Sequence, residues 1–210
     1  MKKFLLVAVS VLLLCVCSAK TEATLIYRFD IFTMNGMYNE NSELDIFVEV
    51  TDNTYGGVEF GFRNQSTIDS TVTKIYFDDD GLLWGAPTII NYEGVEFATG
   101  ANPSNLPGGK ELEVVFEATD VFSVSATAPL AHTGINSDEY LNLIFDLSEG
   151  KSFEDVTEAL NNGALHIGLH ITGLPDGSSE SAVNVPEPAS LLLIGLGGLV
   201  VIRRKDKKQL

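Results

Sequence analysis

Asp78, Asp79 and Asp80 form an unbroken run closed by Gly81. Carboxylates at a turn offer oxygen ligands to Ca²⁺, which takes about six to eight of them. An EF-hand sets its acids at alternate positions and ends on a glutamate at the twelfth. Here the acids are consecutive and the twelfth position from Asp78 is Ile89, so that motif is excluded. Two readings remain: a sandwich-type Ca²⁺ site using Asp78 or Asp80 with a distant acid, or an acidic hairpin tip that holds nothing. His166 and His170 are a second candidate pair. A spacing of four would bring two imidazoles together on a helix. On a strand it leaves them on one face about 13 Å apart, too far to share an ion. His132 has no local partner. Trp84, with Tyr92 and Tyr76, has the chemistry of a stacking platform for a sugar ring; the competing reading buries the lone tryptophan in a core. No serine sits in a Gly-x-Ser-x-Gly elbow, and there is no phosphate loop. No catalytic residue or cofactor is assigned, and the chain is expected not to be an enzyme; a glycosidase is the one enzymatic class kept in view.

The elements that must carry these side chains read as strands. Leu25, Tyr27, Phe29 and Ile31 alternate with Arg28 and Asp30, and Leu44, Ile46, Val48 and Val50 alternate with Asp45, Glu49 and Thr51. The same period of two runs through Val58–Phe62, Leu112–Phe116, Leu141–Leu147 and Leu165–Ile171, each with one apolar face. Weaker strands are expected at 72–77, 82–84, 88–92, 122–126 and 181–185. Turn residues separate them, as at Asn91-Tyr92-Glu93-Gly94 and Pro107-Gly108-Gly109. One helix is expected: Ser152 caps it, Glu154 and Asp155 lie in its first turn, Phe153, Val156 and Leu160 form its apolar stripe, and Gly163 ends it. The fold class that follows is all-β, an antiparallel β-sandwich or jelly roll with one short helix plugging an end.

Met1-Lys2-Lys3, the apolar run Phe4–Val16 and the small residues Cys17-Ser18-Ala19 make a secretory signal peptide. The expected cut follows Ala19, with Ala23 as a second site. A lipoprotein reading through Cys15 or Cys17 meets the bulky Leu14 and Val16 where a small residue is required. Both cysteines fall in this leader, so the exported domain, residues 20–184, must be held by its core without disulfides. Residues 20–185 carry six basic against twenty-seven acidic residues, a net charge of −21. Such a surface repels nucleic acid and anionic lipid.

The tail has its own logic. Residues 189–202 are uncharged and rich in Leu, Ile and Val, and Arg203-Arg204-Lys205 closes them. Fourteen helical residues reach about 21 Å, short of the roughly 30 Å of hydrocarbon unless the arginine stems snorkel. The basic stop, expected to extend over 203–210, should stay cytoplasmic and leave the domain outside. Two prolines hold 186–188 extended and deny it helix.

Val185-Pro186-Glu187-Pro188-Ala189-Ser190, then a short glycine-containing apolar run, then Arg203-Arg204-Lys205, resembles the PEP-CTERM sorting signal over about the last twenty-five residues. The resemblance implies that Pro186, Glu187 and Pro188 are recognised by exosortase, a membrane transpeptidase. It implies removal of the single transmembrane helix and delivery of the domain to the surface or extracellular matrix of an exopolysaccharide-making Gram-negative bacterium. The expected partners are signal peptidase, exosortase and extracellular polysaccharide. The expected function is that of a non-enzymatic matrix or biofilm protein, with a carbohydrate-binding module, Ca²⁺-dependent or not, as the alternative.

Overall fold

The computed structural model describes residues 24–38, 43–53 and 56–185. The leader with its Ala19 cut, residues 186–188, the apolar run and the basic tail lie outside the described residues. Among those described, no helix is long and apolar enough to cross a membrane.

Eleven strands form one antiparallel sheet that is nearly closed on itself: β1 Leu25–Ile31, β2 Ile46–Asn53, β3 Gly57–Asn64, β4 Thr71–Asp79, β5 Leu83–Ile90, β6 Phe97–Thr99, β7 Val124–Ala126, β8 Ile135–Asn136, β9 Tyr140–Leu147, β10 Leu165–Thr172 and β11 Glu180–Asn184. Their order is β5-β9-β3-β2-β1-β11-β10-β4-β7-β6, with β8 also paired to β4. The fold-over happens at β1. Residues 25–28 pair with β2, and Phe29, Ile31 and Asp30 pair with β11. One strand therefore joins two walls, β5-β9-β3-β2 and β11-β10-β4-β7-β6. The ends of the path, β5 and β6, are consecutive in sequence, and Asn91 clips their turn by accepting from the Phe97 N–H at 2.9 Å.

The walls meet through aromatic rings. Phe77 of β4 lies edge-on to Phe60 of β3 at 5.1 Å and to Phe145 of β9 at 4.9 Å, and Phe122 meets Phe145 at 5.4 Å. Edge-to-face pairs like these add about 0.5–1.5 kcal/mol each beyond area burial. The expected helix forms at Phe153–Asn162, with a reciprocal Ser152–Asp155 capping box and Gly163 in the left-handed region. Val156, Ala159 and Leu160 seal the core beneath it.

Three expectations are corrected. Leu112–Phe116 is not a strand. β4, beside it, already pairs with β10 on one edge and with β7 and β8 on the other, so no ladder is open to it. The segment instead lies over the outer face of the second wall, where Phe116 and Leu106 bury against Tyr76. Asn105 fixes it by donating to the Phe116 carbonyl and accepting from the Ala118 N–H, both at 3.0 Å. The stretches 82–84 and 88–92 are one strand, β5, with an irregularity between Trp84 and Thr88. A helical turn at Leu130–Thr133 and the short strands β6 and β8 were not expected.

Candidate functional site

The apolar alternation that builds the first wall leaves a polar and aromatic outer face. On β3, Glu59, Gly61 and Arg63 face outward opposite Ile144, Asn142 and Tyr140 of β9. Arg63 bonds the Asn142 Oδ1 at 3.0 Å, pairs with Glu49 at 3.1 Å and lies 4.8 Å over the Tyr140 ring. Asn142 in turn donates to Glu59. Tyr92, just past β5, leans on Tyr140 with the rings tilted by 46° and their centroids 4.1 Å apart. At the other end of the face stands Trp84, opposite Asp146 and 67% exposed. Asp146 and Tyr140 are six residues apart on β9, so the face is about 20 Å long between its aromatic ends.

The burial of Trp84 in the core is thereby overturned. Trp84 and Tyr92 also lie at opposite ends of β5, so they do not grip one ring together. Tyr76 is not part of this face. It is buried in the second wall, its hydroxyl donates to the Pro103 carbonyl at 3.0 Å, and burial pushes its pKa up to about 12. Tyr140, Arg63 and Asn142 were not singled out from sequence. Their only signal is that they fall at alternate positions on strands whose other face is apolar.

The aspartate run closes the β4–β5 turn. Asp79 accepts the N–H groups of Gly81, Leu82 and Leu83 at 3.1, 3.0 and 3.0 Å. Burial nevertheless pushes its carboxyl upward, against those bonds. Asp78 accepts the Glu117 N–H at 2.9 Å and so holds the covering segment, while Asp80 is exposed. No group of three or more His, Cys, Asp or Glu side chains is placed to hold a metal ion among the described residues.

His166 and His170 share the outer face of β10 and have separate surroundings. His166 lies across from Asp78, and His170 across from Lys74 and Ser181. Burial, then the Lys74 ammonium, lowers the His170 pKa to about 4. His132 is exposed in the turn Leu130–Thr133.

The remaining site is the place where the chain leaves the sheet. β11 lies between β1 and β10. Asn184 is 3% exposed and accepts the Ile167 N–H at 2.7 Å, and the Val185 N–H donates to the Arg28 carbonyl at 2.9 Å. Because β1 and β11 are antiparallel, with Phe29 opposite Asn184, the chain enters β1 and leaves β11 at the same end.

Residues 184–205 match the family model of the PEP-CTERM protein-sorting motif. No curated protein matches the chain. No solved structure matches it either.

Proposed function

We propose that this chain is the precursor of a non-enzymatic surface or matrix protein. A PEP-CTERM signal implies an exported precursor that passes the membrane and is processed by exosortase. In this reading signal peptidase removes residues 1–19, and the apolar run 189–202 holds the precursor with its acidic domain outside. Exosortase recognises Pro186, Glu187 and Pro188 and releases the domain to the surface, where it associates with extracellular polysaccharide. The observation that carries the reading is the position of the matched motif: it starts at Asn184, the last residue of the last strand. The sheet ends within the first two residues of the motif, Asn184 and Val185, so cutting beyond Pro188 leaves a whole domain. The entry of β1 and the exit of β11 at one end support a body held with both of its termini toward the membrane.

The test is the mass of the mature C-terminus in the native host. Loss of the apolar run and basic tail, blocked when Pro186 and Pro188 are replaced by alanine, is the expected result. Intact Leu210 on surface-delivered protein would refute the sorting reading.

A second reading, a glycan-binding module, is favoured by one observation: an exposed Trp84 at one end of a 20 Å face that ends in the Tyr92–Tyr140 pair. Saturable glycan binding by the mature protein, weakened by Trp84→Ala, is its test.

A further inference from the structure

The junction between domain and sorting motif has almost no slack. β11 is an interior strand, and Glu180, Ser181, Ala182 and Asn184 on it are all buried. Peeling it away would break ladders with both β1 and β10 and open the core, an event on the scale of global rather than local unfolding. The last sheet bond runs from Val185 to Arg28, and Pro186 is the next residue. An extended chain gains at most about 3.5 Å per residue. A groove that closes over Pro186, Glu187 and Pro188 thus meets the folded domain within a residue or two of its own rim.

We infer that the end of the domain around the β11 exit is a docking face for the membrane-bound processing enzyme, which reads the Pro-Glu-Pro segment and this face together. The inference rests on the sorting reading above. The face is built on β1, whose alternation turns Ile26 and Arg28 outward beside Val185. Ile26 is 43% exposed. Arg28 is ion-paired with Asp45 and lies 5.7 Å over the Phe47 ring. Ile26 stands across from Glu49 and Arg28 across from Phe47, so the patch sets one exposed apolar side chain and one paired guanidinium beside Asp45, Glu49 and the exposed Asp30. Its position, one residue of chain from Pro186, is what sets it against an enzyme that grips the motif.

The experiment follows processing of the full-length precursor in its native host. One variant carries a Gly-Ser-Gly-Ser spacer between Val185 and Pro186, a second carries Ile26→Asp, and a third replaces Pro186 and Pro188 by alanine. The spacer and Ile26→Asp variants should each slow processing by about five-fold or more, as expected for loss of a peripheral contact. The uncut precursor should remain membrane-held and equally resistant to protease. Processing of the spacer variant at or above the wild-type rate, or of Ile26→Asp at the wild-type rate, would overturn the inference, the patch then facing lipid or water. A wild-type chain that is never processed, or a proline variant processed like wild type, would instead overturn the sorting reading itself.

Discussion

The backbone N–H of Val185 donates to the carbonyl of Arg28 at 2.9 Å, one residue before Pro186. This bond marks where folded domain ends, and Asn184 holds the same boundary from the other side through the Ile167 N–H. Asn184→Ala removes that acceptor and leaves a buried donor unsatisfied, at a cost of about 1–3 kcal/mol. Denaturant unfolding should show a lower midpoint with an unchanged slope.

Glu180 carries a larger share of the opposite end of β11. Its buried carboxylate accepts the N–H of Asn35 at 3.0 Å, the N–H of Gly36 at 2.7 Å and the Thr33 hydroxyl. Glu180→Ala strands three donors at once and should cost about 3 kcal/mol or more, each lost partner contributing on the order of 1 kcal/mol. Protease cleavage in the Thr33–Met37 segment should become faster than in the wild type.

Gly168 sits under the covering segment. A Cβ there would lie 2.7 Å from the Leu106 Cδ2 and 3.0 Å from the Phe116 ring, both buried. Gly168→Ala should destabilise by about 1–3 kcal/mol through overpacking. Near-ultraviolet circular dichroism should show loosening around Tyr76 before the sheet itself unfolds.

Trp84→Ala should leave stability within about 0.5 kcal/mol of wild type, since the ring is largely in water. Native fluorescence should already resemble that of a solvated indole and shift little on unfolding. A large blue shift in the native spectrum would contradict the exposed placement.

His170 sets a pH dependence with a definite sign. Its folded pKa, about 4, lies below the ordinary imidazole value of 6.5 because burial and Lys74 disfavour the cation. The unfolded chain takes up this proton first, so the stability His170 confers is complete above pH 6.5 and is lost as pH falls toward 4. Asp79, whose pKa is raised, acts in the opposite sense, since its neutral form is favoured in the fold. The difference between wild type and His170→Gln isolates the histidine: the variant should lose less stability across that window.

The period-two alternation was enough to place β1, β2, β3, β9 and β10, because each turns an apolar row to the core and the pleat enforces the pattern; β4 and β11, expected only as weaker strands, are buried on both faces and show no such alternation. The helix was equally legible, since Ser152, Asp155 and Gly163 act locally on their own backbone. The sorting motif was readable for the same reason: its prolines, apolar run and basic stop are local chemistry. Leu112–Phe116 misled because alternation says which residues want burial, not whether a neighbouring strand has a free edge. The outer face with Arg63, Asn142 and Tyr140 was invisible for a related reason: those partners are up to 79 positions apart and meet only through strand register. Sequence by itself determined the sorting motif, the acidic cysteine-free composition of residues 20–184 and most of the strands. Tertiary structure alone decided that Trp84 is exposed, that Asp78 and Asp79 are spent on backbone amides, and that the motif starts flush with an interior strand. Burial and pairing are settled between distant segments competing for the same surface, and no local pattern encodes the outcome.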